Sequence, residues 1–158
     1  MVYLFNMILN EFVLVKLVTA ILALFGFFVA RHIYKEKRAD RPLICPIKFD
    51  CQTVVHSDYS KFLGVPVEVF GMIYYIFVFS SYLALAFLGA VLPQIYVVFL
   101  VLLSVFAFLF SMYLILVQIF ILRKFCSWCL VSAFICSLIF LLTIEAYDFV
   151  NLFEVFVK

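Results

Sequence analysis

The chain has 158 residues, of which 70% are hydrophobic, 20% aromatic and only 13% charged, with a formal net charge of +2. Soluble domains carry about 25% charge, which excludes a water-soluble globular protein, and a balance this close to neutral points to no nucleic-acid partner. The length suits a single domain, residues 1–158.

A bilayer core of about 30 Å needs about 20 apolar residues in a helix. Phe12 to Ala30 is the first such stretch, interrupted only by Lys16, whose long side chain is expected to snorkel to the interface. No Lys or Arg precedes it and no A-x-A site follows, so it reads as an uncleaved span rather than a signal peptide. Arg31 to Asp50 is charged and holds Pro42 and Pro46, which suits a loop. From Cys51 to Leu63 the apolar residues Val54, Val55, Tyr59, Phe62 and Leu63 recur at helical spacing, with Asp50 in the N-cap position and Gly64-Val65-Pro66 ending the run. This predicts a short amphipathic helix at the interface, capping the bundle over the mouth of the last span.

Val69 to Leu122 holds no charge and is too long for one span; it divides at Gly89-Ala90-Val91-Leu92-Pro93, where Gly and Pro mark a turn. Phe125 to Ile144 is the last uncharged stretch, closed by Glu145 and Asp148. The expected fold is an all-α integral membrane protein, a four-transmembrane-helix bundle with a short interfacial helix in the first loop. Its spans fall at about 12–32, 66–89, 93–122 and 125–146, with the cysteine loop and interfacial helix at 33–64.

Four spans put both termini on one side of the membrane and the first and third connections on the other. Cys45 and Cys51 lie in the first connection, and Cys126-Ser127-Trp128-Cys129 opens the last helix just after the third. Two cysteine pairs therefore face one compartment and can meet.

A C-x-x-C pair cycles between dithiol and disulfide. Cys129 sits about 4.5 Å deeper than Cys126 on the same helix face. The free N–H groups and dipole of the first turn, with Arg123 and Lys124 beside it, favour a thiolate at Cys126. That thiolate is expected to attack a disulfide from the water side while Cys129 faces the bundle interior. Cys45 and Cys51 can form a mobile disulfide that exchanges with a partner protein outside and with Cys126 inside. The acceptor beyond Cys129 must be hydrophobic and take two electrons, which a quinone does. Zinc is the competing use of four cysteines, but C-x5-C departs from the usual zinc spacing, and no metal is expected. Cys136, two turns past Cys129, reads as packing, and Trp128 as an interfacial anchor. His56 and Ser57 are the polar candidates for substrate binding or support on the interfacial helix.

The loop C-x5-C, then Val54-Val55-His56-Ser57, then Lys61-Phe62-Leu63-Gly64-Val65-Pro66-Val67-Glu68 and the late C-x-x-C together resemble the vitamin K epoxide reductase family and its prokaryotic homologues. The resemblance covers about residues 12–145. It implies a bundle around a quinone of ubiquinone or menaquinone type, loop cysteines that shuttle electrons, and Cys126–Cys129 as the active centre with Cys129 next to the quinone. It implies a supporting hydrogen bond from Ser57 to the active cysteine, and a thioredoxin-like thiol protein as partner. Vertebrate members carry a Tyr four residues past the second active cysteine, where this chain has Ala133, and an Asn on the loop, which Gly64 to Gly71 does not supply. Plain quinone reduction is therefore expected over epoxide reduction.

The expected activity is that of a quinone-dependent protein-thiol oxidoreductase supporting disulfide formation. The alternatives are a vitamin K epoxide reductase and a non-enzymatic four-span scaffold whose cysteines form a structural disulfide or zinc site. Orientation is contested. Nine of the 11 Lys and Arg residues fall on the cysteine side, which by the positive-inside rule places that face in the cytoplasm. The family resemblance implies an outward face. The charge imbalance carries the expectation here: a prokaryotic cell-membrane protein with its cysteines facing the cytoplasm.

Overall fold

The computed structural model describes residues 2–41, 43–45, 50–88 and 94–146. The turn expected at Gly89–Pro93, Pro42 and Pro46 of the loop, and the charged positions Lys48, Asp148 and Lys158 lie outside them.

Among the described residues, four helices are long and apolar enough to cross a membrane. Helix α1 spans Val2–Arg38, about 55 Å at 1.5 Å per residue, so it outruns the bilayer. Its last turn carries Lys35, Lys37 and Arg38, cations that complement the negative end of the helix dipole. The first loop folds into a cap: helix α2, Cys51–Val55, a 3-10 turn, Asp58–Ser60, and strands β1, Lys61–Phe62, and β2, Val65–Pro66. Helix α3 spans Val67–Leu88, α4 Gln94–Leu116, and α5 Ser127–Ala146. The last turns of α4 pass into a π-helix, Val117–Leu122.

Helix α1 packs along both α3 and α5, and α4 packs along α5. Large apolar side chains such as Ile21, Phe87, Leu109, Phe120 and Phe134 point outward. Helices apolar on every side belong in lipid.

The interior is tied by polar groups that lipid could not satisfy. The Tyr82 hydroxyl meets Thr143 Oγ1 at 2.7 Å, joining α3 to α5. Tyr75 Oη donates to the Ser132 carbonyl at 2.8 Å across the same pair. Gly26 permits that tyrosine, since a Cβ there would stand 2.5 Å from its ring. Lys16 does not snorkel. It is buried and donates to the carbonyl of Leu85 at 3.3 Å, one of the last carbonyls of α3 left without an intrahelical donor.

The interfacial helix is shorter than its apolar spacing predicted. Asp50 does cap it, accepting from the Thr53 N–H at 3.2 Å, but the helix stops at Val55. Ser57 Oγ donates to the Val54 carbonyl at 2.8 Å and Ser60 Oγ to the Ser57 carbonyl at 2.6 Å. Such local side-chain bonds compete with helix propagation. Residues 61–66 form a hairpin in the register Lys61↔Pro66 and Phe62↔Val65. Its two-residue turn needs positive φ at both positions, and Leu63 (φ 53°) and Gly64 (φ 81°) supply it. Phe62 and the bare Leu63 make the tip apolar, suited to dip into the interface.

Candidate redox site

The four cysteines of the two pairs converge where the cap meets α5. Cys45 and Cys51 form a disulfide, with their Cα atoms 6.1 Å apart. Cys126 and Cys129 are free thiols. Cys51 is buried, and its Sγ lies 3.8 Å from Ser127 Oγ. Cys45 is half-buried.

The connection from α4 to α5 builds the thiol site. The π-helix ends at Arg123 in the left-handed region, φ 50°, which turns the chain back at once. Gln118, inside that π turn, receives the returning backbone. Its carbonyl accepts from the Lys124 N–H and its Oε1 from the Cys126 N–H, both at 3.2 Å. Cys126 then caps α5: its carbonyl accepts from the Leu130 N–H at 3.0 Å, and its Sγ accepts from the Cys129 N–H at 3.3 Å. A sulfur thus takes the place of the usual Ser or Asp oxygen at a helix start.

That position explains the thiol's acidity. Donation from the Cys129 thiol holds the Cys126 pKa below the ordinary value, helped by the Cys129 and Trp128 backbone N–H groups, against the opposing effect of burial. Cys126 is nonetheless fully buried beneath the loop. The attack from the water side expected of Cys126 therefore needs the loop to move, and the loop pair meets the C-x-x-C segment where Cys51 Sγ lies beside Ser127 Oγ.

Cys129 opens onto a cavity of about 460 Å³, within the range of small-molecule sites. Its walls come from α1, the cap, α3, α4 and α5 and are almost wholly apolar, with Phe70, Phe106 and Phe110 among them. Glu68, Gln118 and several Ser and Tyr residues, Ser57, Ser60 and Ser132 among them, supply the scattered polar groups. Phe62 of the hairpin packs edge-on against two of these wall rings, its centroid 6.1 Å from that of Phe70 and 5.9 Å from that of Phe110. Cys136 lies on the wall, as does Ala133.

An ion pair spans one edge of the cavity. Lys37 Nζ donates to both carboxylate oxygens of Glu68, at 3.1 and 3.2 Å, and to Ser60 Oγ at 3.0 Å. Both charged side chains are buried. One lysine therefore joins the end of α1, the cap and the start of α3.

The two polar candidates of the cap separate. Ser57 lines the cavity, but its hydroxyl donates to Val54; the serine beside a cysteine sulfur is Ser127. His56 faces away, with Nδ1 3.1 Å from the Gln52 carbonyl and Nε2 3.6 Å from Asp40. Ser127, Gln118, Lys37 and Glu68 were not singled out from sequence. Ser127 had a signal, since it stands inside the C-x-x-C. Among the described residues no group of three or more His, Cys, Asp or Glu side chains is arranged to hold a metal ion.

A dithiol at the head of a transmembrane helix, open to an apolar cavity and covered by a disulfide-bearing loop, defines a membrane-embedded thiol oxidoreductase. Residues 17–144 match the vitamin K epoxide reductase family, and the chain belongs to that family. No curated protein sequence matches it.

Proposed function

We propose that this protein oxidises a thioredoxin-like thiol protein and passes the two electrons through Cys45–Cys51 and then Cys126–Cys129 to a membrane quinone. A partner thiolate attacks Cys45, the more accessible loop sulfur, and Cys51 leaves as a thiolate beside the Ser127 hydroxyl. The partner's second thiol displaces Cys45 and closes the partner's disulfide. Cys51 attacks Cys126 of the oxidised C-x-x-C pair, and Cys129 leaves. Cys45 then attacks Cys51, which restores the loop disulfide and leaves Cys126 and Cys129 as a dithiol. That dithiol gives two electrons and two protons to the quinone, forming hydroquinone and the Cys126–Cys129 disulfide. The partner loses what the quinone gains.

The observation that carries this reading is the position of Cys51, buried against Ser127 at the head of the helix whose deeper thiol, Cys129, opens into the cavity. The apolar walls and the volume suit a quinone ring. Ala133 on that wall leaves no counterpart to the vertebrate tyrosine, which favours a quinone of ubiquinone or menaquinone type over the epoxide as substrate. The cysteine face is assigned to the cytoplasm on the charge bias. Labelling of Cys45 in intact cells by a membrane-impermeant thiol reagent after mild reduction should then be weak without lysis; strong labelling reverses the assignment.

The test of the activity is turnover of purified protein with reduced thioredoxin-like protein and a soluble quinone. Cys45→Ala and Cys51→Ala should abolish oxidation of the protein partner yet spare quinone reduction by a small permeant dithiol. Cys129→Ala should abolish both, and Cys136→Ala should be nearly silent. Equal loss of small-dithiol activity in Cys45→Ala and Cys129→Ala contradicts the relay.

A further inference from the structure

Trp128 stands between the two thiols of the C-x-x-C pair, yet its side chain is not part of the cavity wall. It reaches onto the loop instead. Its indole Nε1–H donates to the carbonyl of Ile44 at 3.1 Å, one residue before Cys45. Its ring packs on His32 of α1, with centroids 4.8 Å apart and planes at 53°. Ile44 itself is 82% exposed; its neighbour Leu43 is buried in the core and donates its N–H to Gln52 Oε1 at 3.2 Å. The indole bond adds a tie from this stretch of the loop to the C-x-x-C segment.

Two further ties fasten the other side of the disulfide. Lys124 Nζ lies 3.2 Å from Asp50 Oδ2, and Ser127 Oγ 3.8 Å from Cys51 Sγ. Lys124, Ser127 and Trp128 all belong to the short segment that carries Cys126 and Cys129. The Lys124 pair is exposed and screened by water, so it contributes little. The indole bond is the tie that runs from the C-x-x-C segment itself to the half of the loop holding Cys45.

We propose that Trp128 is a latch, a positioning residue whose indole N–H holds the loop disulfide docked over Cys126 and whose release presents Cys45 to the partner protein. The proposal rests on the relay reading and adds its gate. Docking serves the internal step, Cys51 to Cys126. Undocking serves the external step, partner to Cys45. One neutral hydrogen bond is weak enough to break and reform in each cycle.

A latch makes the two steps respond in opposite directions. Losing the indole N–H should shift the docked-to-undocked ratio about 2- to 10-fold. The experiment replaces Trp128 with benzothienylalanine, which keeps the ring and puts sulfur where the N–H was, alongside Trp128→Phe. Reduction of the Cys45–Cys51 disulfide by a membrane-impermeant phosphine should accelerate in both variants. Transfer from the pre-reduced loop pair to Cys126–Cys129 should slow, and the gain in the first step multiplied by the loss in the second should equal that shift. Quinone reduction by a pre-reduced Cys126–Cys129 pair should not change. A merely structural role would slow both loop steps together and depress the quinone step. Unchanged or slower phosphine reduction in the benzothienylalanine protein overturns the latch. The relay reading fails by a different sign, wild-type partner oxidation that survives Cys45→Ala, and accelerated phosphine reduction would still report the latch.

Discussion

The sulfur of Cys51 lies 3.8 Å from the hydroxyl of Ser127, the residue that follows Cys126. The loop disulfide therefore meets the C-x-x-C pair through its buried cysteine, while Cys45 stays half-buried toward the water. The two loop sulfurs are unequal, and in the proposed relay the buried one takes the internal step.

Trapping should display that order. Cys129→Ala leaves Cys126 without a resolving thiol, so without added reductant its thiolate should attack the oxidised loop disulfide at Cys51, release Cys45 as the free thiol, and accumulate a Cys51–Cys126 mixed disulfide. Mass spectrometry of non-reduced peptides reads the link directly. A dominant Cys45–Cys126 link would reverse the roles of the two loop cysteines.

Burial of the Lys37–Glu68 pair predicts a strongly non-additive response. Lys37→Met or Glu68→Leu alone leaves a buried charge unpaired, which costs about 3–5 kcal/mol. The double variant replaces the pair with apolar groups and should recover most of that loss. Thermal unfolding in detergent measures all three. A double variant as unstable as the sum of the singles would mean the pair has no such coupling.

The lowered pKa of Cys126 has a pH consequence. A thiol with a depressed pKa keeps its thiolate as pH falls below the ordinary thiol value, and loses it only at a lower pH. In protein freed of both loop cysteines by Cys45→Ala and Cys51→Ala, alkylation of Cys126 should persist to that lower pH. Adding Cys129→Ala removes the main donor to the sulfur and should move the midpoint upward. An unmoved midpoint would assign the acidity to the backbone N–H groups of the helix start alone.

The spans were legible because lipid leaves a coarse signature: the stretch from Val69 to Leu122 carries no charge, and hydropathy reads length well. The C-x-x-C was legible for the same reason, as a motif within one helix turn. The cap was read less well. Spacing of Val54, Val55, Tyr59 and Phe62 suggested one helix, but the hydroxyls of Ser57 and Ser60 bond local carbonyls and end it, a competition that hydrophobic periodicity does not register. Gly64-Val65-Pro66, expected to end a helix running through Leu63, instead belongs to a hairpin whose turn is Leu63-Gly64. Lys37 and Glu68 are 31 residues apart in sequence, and nothing local marks either as the other's partner. Nothing local marks the partner of the Trp128 indole either, the carbonyl of Ile44 lying 84 residues earlier in the chain.

The central claim is the direction of electron flow, from the loop pair through Cys126–Cys129 to quinone. Rapid mixing with an acid–alkylation quench, read by mass spectrometry at each cysteine, follows it in one turnover. Starting from a reduced loop pair and an oxidised C-x-x-C pair without quinone, free thiols should disappear at Cys45 and Cys51 as they appear at Cys126 and Cys129. Added quinone should then reoxidise Cys126 and Cys129. Reoxidation of the loop pair by quinone at an undiminished rate in Cys129→Ala would contradict it.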